Sequence, residues 1–198
     1  NFMYLIFDCS AMATYTNFKA NFTDIDSWPR LLHISWILLG EDYKPIEDFD
    51  CIPTPVGFTI DDKSKTKAHI DDDDIIKKSV DLPTVLDRFT ASAEKAEYIF
   101  AHNLNYNENV LGAEYVRSKK TINMFSKKRY CLMEEGTYYC KIPSKGGGYK
   151  YPTLPELHGT CFGQTYGPAG NARADVIAAA RCFIKLKKTG KLDDLFEE

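Results

Sequence analysis

The chain has 198 residues, of which 44% are apolar, and this is enough for one domain with a buried core over residues 1–198. Low-complexity tracts and internal repeats are absent from the sequence, which excludes fibrous and solenoid architectures. The formal net charge of −3 gives no general positive field for attracting nucleic acid, although it does not exclude an enzyme that holds nucleotides through metal ions.

Three strands are predicted in the first quarter of the chain. The run Met3–Asp8 is apolar and ends in an acid, which is typical of a buried central strand. The segment Arg30–Gly40 is rich in large apolar residues and predicts a second strand. Lys44–Ile52 follows a turn at Glu41 and Asp42, so these two strands are expected to pair as a hairpin meander.

Helices and strands alternate in the rest of the chain. The segment Asp71–Val80 begins with four acids and has lysines near its end, as a helix dipole favours, and such acids are typical of a solvated helix start. Pro83 suits the first turn of a helix that runs to about Lys95. This order predicts a mixed α/β layered domain. The remaining predicted elements are a strand at Glu97–Ala101, helices at Leu104–Lys119, after Pro152 and at Asn171–Lys187, and a flexible loop at Ser144–Tyr151.

The six cysteines indicate a reducing compartment. They form no Cys-x-x-Cys pair and no secreted disulfide framework, so we expect reduced thiols, several of them buried. A zinc site made of Cys131, Cys140, His158 and Cys161 is conceivable, although this spacing fits no tight metal-ligand pattern. No apolar run reaches membrane-spanning length and no targeting segment is recognisable, so we predict a cytoplasmic protein without a membrane partner.

Three separated segments carry a recognisable set of polar residues at the ends of predicted strands and at a helix start. They are Phe7–Ala13 (FDCSAMA), Ala101–Asn107 (AHNLNYN) and Gly170–Val176 (GNARADV). In order, spacing and predicted elements they resemble the three motifs of the DnaQ-like (DEDDh) 3′–5′ exonuclease family of the ribonuclease H-like superfold. The resemblance covers nearly the whole chain, and Phe18–Trp36 is similar to bacterial members such as the ε subunit of DNA polymerase III.

The resemblance implies a fold and a chemistry. The fold is a mixed five-stranded sheet, with an antiparallel meander plus parallel strands, flanked by helices. The family holds two divalent metals, Mg²⁺ or Mn²⁺, with four carboxylates, and uses a histidine as general base. Asp8 and Asp175 match two of those carboxylates. Ser10 stands where the family has Glu, Asn107 where it has the second-motif Asp, and Gly170 where it has the histidine.

These replacements predict a catalytically inactive protein. Asp8 and Asp175 could hold one Mg²⁺ or Mn²⁺ loosely, but two carboxylates do not supply the negative charge that keeps two cations side by side. The loss of a general base alone costs ~10²–10⁴ in rate. We therefore predict a pseudoenzyme that has no intact catalytic residue set and does not turn over nucleic acid.

The predicted nucleotide pocket also departs from the family. Ala11, Met12 and Ala13 replace the Thr-Thr-Gly that follows the family's Glu, and together with His102 and Asn103 they are the predicted nucleic-acid-binding positions. His102 is further interpreted as a structural group at the strand end. The family's His-Gly-Ile-Thr element is represented only by residues 69–71, with the Gly missing.

Neighbouring side chains are not expected to replace the lost ligands or the lost base. Glu108 follows Asn107 directly, and an adjacent helical residue points about 100° away. His33 lies within a strand among large apolar residues and is interpreted as a core residue. His158 lies on a helix far in sequence from the third motif, and no feature of the sequence marks it as catalytic.

Three hypotheses about function follow. The favoured one is an inactive exonuclease-like domain that binds a single-stranded nucleic-acid end or a protein partner. The second is a working or residual metal-dependent 3′–5′ exonuclease that acts on DNA or RNA ends, and the retained Asp8 and Asp175 support it. The third is a purely structural interaction module, which the mild acidity and the altered pocket support.

Overall fold

The computed structural model describes residues 2–197, and within this range the strands form one six-stranded sheet of order β4-β3-β2-β1-β5-β6. β1 pairs antiparallel with β2, and β2 with β3, while β5 lies parallel to β1 and β6 parallel to β5. The strands are β1 (Tyr4–Ala11), β2 (Leu31–Leu39), β3 (Pro45–Pro53), β4 (Ser79–Val80), β5 (Tyr98–Ala101) and β6 (Lys128–Cys131).

The predicted mixed α/β sheet with an antiparallel meander and parallel strands is confirmed, and it has six strands where five were expected. The edge strand β4 has only two residues and pairs with the end of β3 directly after a helix. A strand of this length leaves no alternating apolar pattern in the sequence, because the period of two needs at least four residues to be recognised.

Eight α-helices lie among the described residues. Several begin with a side chain that accepts a hydrogen bond from the first turn, as Asp71 does for α2 and Thr153 for α7. The helix α1 was not predicted, because only Ser64 and Ala68 of it are buried and no apolar stripe marks it. The helices are α1 (Asp62–Ala68), α2 (Asp72–Lys78), α3 (Leu82–Lys95), α4 (Leu104–Arg117), α5 (Leu132–Glu135), α6 (Thr137–Cys140), α7 (Leu154–Phe162) and α8 (Ala172–Lys188).

The two faces of β1 pack against different helices, because successive side chains of a strand point to opposite faces. Leu5 and Phe7 contribute to a core that also contains residues of α3 and α4. Tyr4 and Ile6 contribute to a second core with Val176 and other residues of α7 and α8. Among the described residues, no helix has both the length and the apolar character needed to cross a membrane.

The α8 face of the sheet changes from apolar to polar along β1. After Tyr4 and Ile6, the same face continues with Asp8 and Ser10, which lie opposite Ser35 and His33 of β2. Directly paired residues in an antiparallel sheet lie side by side on one face. The carboxyl end of β1 therefore brings a row of buried polar side chains beneath the start of α8.

The segment predicted as a flexible loop forms a small hairpin instead. Pro143 and Tyr149 make an antiparallel bridge, and the backbone N–H of Lys150 donates to Ile142 O at 2.9 Å. The N–H of Ser144 donates to Gly148 O at 3.0 Å. These hydrogen bonds give the glycine-rich segment a defined turn, which its composition alone does not indicate.

Candidate functional site

The three motif segments meet in one cavity of about 350 Å³ at the carboxyl ends of β1 and β5. All five motif positions line it, namely Asp8, Ser10, Asn107, Gly170 and Asp175. Segments far apart in the chain therefore converge on one place, as the order of the motifs predicts. The other lining residues are Cys9, Ala11, Phe18, Lys67, Ala68, His102, Asn103 and Tyr106.

Asp8 is a buried acid that faces the cavity, and only 8% of its surface is exposed. Burial raises the pKa of its carboxyl group well above the ordinary value, and the nearby charge of Asp175 raises it further. Within residues 2–197, no hydrogen-bond donor contacts the Asp8 carboxylate. Its oxygen atoms therefore remain available to a bound molecule or ion.

Asp175 is held by the loop that precedes α8. The hydroxyl of Tyr166 donates to Asp175 Oδ1 at 2.6 Å, and the N–H of Gly170 lies 3.3 and 3.2 Å from its two oxygens. Burial raises the pKa of the Asp175 carboxyl, and these hydrogen bonds oppose that rise. Burial and the bond to Asp175 also raise the pKa of Tyr166. The sequence gives no signal for Tyr166, because it lies outside the three motifs.

Asn107 uses its whole amide group to join β1 to the start of α4. Its Oδ1 accepts the backbone N–H of Cys9 at 2.7 Å. Its Nδ2 donates to the carbonyl oxygens of His102 at 3.0 Å and Asn103 at 2.9 Å. The bond from Cys9 fixes which end of the amide carries oxygen, so Asn107 presents donors where the family has a metal-binding carboxylate.

Ser10 forms a hydrogen bond with the backbone in the same cavity. Its hydroxyl donates to the carbonyl oxygen of Gly170 at 2.9 Å. This bond joins the end of β1 to the loop before α8, across 160 positions of the chain. A glutamate at position 10 would lack this hydroxyl donor, so the carbonyl oxygen of Gly170 would lose its hydrogen bond from β1.

Gly170 stands at the position of the family's histidine, and the backbone disfavours a side chain there. Its φ angle is +98°, a conformation that residues with a Cβ rarely adopt. A Cβ at this position would lie 3.0 Å from the carbonyl oxygen of Lys67 and 3.6 Å from Cδ2 of His69. The Asn171 side chain donates to Ala68 O and His69 O at 3.2 Å, which holds this loop against α1.

The predicted nucleotide-binding positions divide into two groups. Ala11, His102 and Asn103 line the cavity, whereas Met12 and Ala13 do not. Met12 is buried in a small separate core, and the N–H of Ala13 donates to Ser64 Oγ at 2.9 Å, because the chain turns away from the cavity after Ala11.

His102 is bonded to the protein backbone. Its Nε2 lies 2.9 Å from Pro152 O, and burial lowers the pKa of its ring. Both observations fit the structural interpretation of this histidine rather than a catalytic one.

The neighbours that could have compensated for the lost groups are engaged elsewhere. Glu108 forms an ion pair with Arg129 at 2.5 Å. His33 is fully buried and its Nε2 lies 2.5 Å from Asp50 Oδ1. His158 Nδ1 lies 2.7 Å from the carbonyl oxygen of Gln164.

The residues present do not fit a two-metal centre. Among residues 2–197, only Asp8 and Asp175 bring carboxylates to the cavity, and burial disfavours the charged form of each. Asn107 directs its amide oxygen to a backbone N–H instead of the cavity. From residue 2 to residue 197, no group of three or more His, Cys, Asp or Glu side chains is arranged to hold a metal ion.

The zinc site considered from the sequence is therefore wrong. Cys131 belongs to the core on the α3 and α4 side of the sheet, whereas Cys161 belongs to the core on the α8 side. The ring of His158 is bonded to Gln164 and lies 3.3 Å from Arg181. All six cysteines are free thiols.

Aromatic and basic side chains that the motifs do not include stand at the mouth of the cavity. Phe18 is exposed and packs against Trp28 and Tyr106, with ring centroids 6.1 and 6.3 Å apart. Burial raises the pKa of Tyr106 to about 12, so its phenol stays neutral. Lys67 is exposed and also lines the cavity. This arrangement places flat rings and a cation beside the two acids.

No model of a known protein family and no curated protein matches this chain. Solved structures do match it. E. coli Exonuclease I in complex with a dT13 oligonucleotide is 17% identical, with a TM-score of 0.69, and the match covers 99% of this chain and 43% of that one. The chain therefore spans less than half the length of Exonuclease I.

Two further solved structures are similar. A 3′-exonuclease in a structure of 3′-end specific recognition of a histone mRNA stem-loop is 16% identical, with a TM-score of 0.70, and the match covers 96% of this chain and 67% of that one. A full-length 3′-exonuclease is also 16% identical, with a TM-score of 0.69 and coverage of 95% and 61%. At these identities the likeness shows the fold, and the chain has the ribonuclease H-like fold of the 3′–5′ exonucleases.

Proposed function

We propose that this chain is a degenerate DnaQ-like protein that binds the 3′ end of single-stranded nucleic acid in the cavity and does not hydrolyse it. The observation that carries the proposal is the reuse of the three altered motif positions for structural contacts. Asn107 joins β1 to α4, Ser10 bonds the backbone of Gly170, and Gly170 adopts a conformation that disfavours a histidine.

The cavity keeps features that suit a terminal nucleotide. The Phe18 and Tyr106 rings provide a wall on which a base can stack, and Lys67 provides a cation for a phosphate group. The unbonded carboxylate of Asp8 can accept a hydrogen bond from a terminal hydroxyl group. Exonuclease I, which has the same fold, is known in complex with single-stranded oligonucleotides.

Metal binding at this site is limited by the same geometry. Asp8 and Asp175 together offer a single loose site for Mg²⁺ or Mn²⁺, because their mutual repulsion and burial already favour protonation. Binding of the nucleic-acid end is therefore expected without any divalent metal. A cytoplasmic location and a protein partner remain predictions from the sequence.

A direct test uses end-labelled single-stranded DNA and RNA in three buffers, which contain EDTA, Mg²⁺ or Mn²⁺. We expect a mobility shift in all three buffers and no shortening of either strand on a denaturing gel. Shortening that the Asp8→Ala substitution abolishes would establish the second hypothesis, a working exonuclease. If neither a shift nor shortening is seen, the third hypothesis, an interaction module without nucleic-acid binding, is correct.

A restored variant tests the structural basis of the inactivity. Ser10→Glu, Asn107→Asp and Gly170→His together supply the residues that the family motifs contain. We expect the triple variant to remain inactive in Mg²⁺ and Mn²⁺, because the first two changes remove donors to backbone carbonyl oxygens and the third places a side chain against one. Recovered activity would show that side chains alone had been lost.

A further inference from the structure

We propose that a second surface next to the cavity binds the nucleotides that precede the 3′ end. This surface, the tyrosine hairpin, consists of residues 141–151 together with Tyr138 of α6. The inference rests on the proposed function, because it extends the path of the strand that the cavity would hold. The tyrosine hairpin lies outside the three motif segments.

The tyrosine hairpin exposes three aromatic rings within a short stretch of chain. Tyr138 is 76% exposed, Tyr149 is 44% exposed and Tyr151 is 54% exposed. The rings of Tyr138 and Tyr149 pack edge to face with centroids 5.9 Å apart, so each supports the other. Exposed aromatic rings provide flat faces on which unpaired bases stack, whatever the base sequence.

The charge of this surface is complementary to a phosphate backbone. Residues 136–153 contain three lysines and no acidic residue, in a chain whose net charge is −3. Within the described range, Lys141 and Lys145 form no ion pair, whereas Lys150 bonds Glu156 at 2.6 Å. Two exposed cations among three exposed rings match the pattern of proteins that track single strands.

The tyrosine hairpin is continuous with the cavity. The carbonyl oxygen of Pro152, the residue after the hairpin, is bonded to His102 at the cavity wall. Asn103 lines both the cavity and a neighbouring groove at the carboxyl ends of β5 and β6, and Tyr151 lines the same groove. Two acids also line this groove, Glu108, which is paired with Arg129, and Glu134. A strand that leaves the cavity past Asn103 therefore reaches Tyr151 first and then the Tyr149 and Tyr138 pair.

The surface is also prepared for binding in its free form. The Pro143 and Tyr149 bridge and the bond from Ser144 N to Gly148 O hold the turn in place. Less conformational entropy is lost on binding when the contact residues are already ordered. The tip residue Gly146 has open space where a side chain would stand, so a sugar–phosphate backbone can approach the chain closely there.

Fluorescence anisotropy with oligothymidylates of two lengths, both labelled at the 5′ end, tests the inference in EDTA. The shorter strand, of three nucleotides, is chosen to engage the cavity, and the longer strand, of twelve nucleotides, is chosen to extend along the tyrosine hairpin as well. We expect the double substitution Tyr149→Ala and Tyr151→Ala to weaken binding of the longer strand about tenfold or more. Binding of the shorter strand should stay within about twofold, since the cavity is unchanged.

Matched controls separate this surface from general effects. Phe2→Ala removes an exposed ring before β1, at the end of the strands opposite the cavity, and should leave both affinities unchanged. Lys141→Gln with Lys145→Gln should lower the slope of log affinity against log salt by about 1.4, or about 0.7 for each lost phosphate contact. Lys128→Gln, at the opposite end of β6, should leave the slope unchanged. Tyr149→Leu with Tyr151→Leu keeps apolar bulk without flat rings and should weaken the longer strand as the alanines do.

The outcomes distinguish this inference from the proposed function. If both strands bind the native protein and the tyrosine substitutions change neither affinity, the tyrosine hairpin is not part of the path and the cavity proposal stands. Equal weakening of both strands would place the effect in the cavity and overturn the inference. If the native protein binds neither strand, the proposed function fails, and the inference fails with it.

Discussion

Two buried acids of this molecule, Asp8 and Glu114, differ in the hydrogen bonds and ion pairs that their carboxylates receive. Glu114 on α4 is 1% exposed, and its carboxylate accepts the backbone N–H of Leu31 at 2.8 Å and the Nε of Arg30 at 3.1 Å. Arg117 adds an ion pair at 3.3 Å. Asp8 is 8% exposed and has no such partner among the described residues.

The difference in hydrogen bonding means that Glu114 stabilises the fold, whereas Asp8 destabilises it. A buried carboxylate is stable only when hydrogen bonds and opposite charges replace the lost water, as they do around Glu114. Asp8 lacks that compensation, and its neighbour across the cavity is another acid, Asp175. Asp8 therefore costs the fold stability, and a ligand contact is the role that the proposed function gives it.

Removal of the fully bonded acid, Glu114, should cost more stability than any other substitution considered below. Glu114→Ala removes the acceptor of Arg30 Nε and of the Leu31 N–H, and the ion-pair partner of Arg117, at the junction of β2 and α4. We expect a loss of about 4 kcal/mol in the free energy of unfolding, measured in urea. Glu134→Ala, at an exposed acid, is the matched control and should change stability by less than about 0.5 kcal/mol. Equal effects at the two positions would contradict the structural role of Glu114.

Asn107 tests whether hydrogen bonding or position in the cavity sets the cost of a substitution. It lines the cavity as Asp8 does, but it is bonded as fully as Glu114. Asn107→Asp turns a donor into an acceptor that faces the carbonyl oxygens of His102 and Asn103. We expect a loss of about 3 kcal/mol in unfolding free energy at neutral pH, from two broken hydrogen bonds and an unpaired buried charge.

The control for this substitution is an asparagine whose side chain only accepts a hydrogen bond and donates none. Asn21 Oδ1 accepts the N–H of Thr23 at 3.0 Å in an exposed turn, and aspartate makes the same contact. Asn21→Asp should therefore leave stability unchanged within about 0.5 kcal/mol. An Asn107→Asp variant as stable as the native protein would show that position 107 can carry a carboxylate, which would favour the working-exonuclease hypothesis.

Gly170 tests whether the site of the missing base is closed by the backbone. Gly170→Ala combines a positive φ with a contact of 3.0 Å to Lys67 O, and we expect a loss of about 2 kcal/mol in unfolding free energy. Gly57 has a φ of +82° and no atom within 4 Å of the place that a Cβ would take, so Gly57→Ala should cost about 1 kcal/mol. The difference between the two variants measures the close approach of Lys67, and a difference of zero would mean that the loop can move aside.

The main strands and helices of the fold were predictable from the sequence, because their apolar residues follow recognisable patterns. Met3–Asp8 and Arg30–Gly40 are rich in large apolar residues, and such segments form central strands whatever the details of the cavity. The motif order then predicted that Asp8 and Asp175 lie on neighbouring elements, and both line one cavity. The long helices and most of the strands were therefore predictable. The elements that were not predicted have only two to seven residues each, namely α1, β4, β6, α5 and α6.

The internal bonds of the site could not be predicted in the same way. The direction of the Asn107 amide depends on the Cys9 N–H, and the contact of Tyr166 with Asp175 depends on how one loop packs. Both are tertiary contacts with no periodic or local signal in the sequence. The steric cost of a side chain at Gly170 likewise depends on a carbonyl oxygen of Lys67, more than a hundred positions earlier.

Substitution of Asp8, the acid without hydrogen-bond donors, should change the free energy of unfolding least. The folded state holds a proton on Asp8 to higher pH than the unfolded chain does, because its pKa is raised above 3.8. Stability should therefore fall as pH rises from about 3.8 through the raised pKa. Asp8→Asn removes this fall and should increase unfolding free energy at pH 7 by about 1–2 kcal/mol, with no gain below the ordinary pKa. Urea unfolding across the pH range measures it, and a destabilised variant at pH 7 would mean that the Asp8 charge is compensated after all.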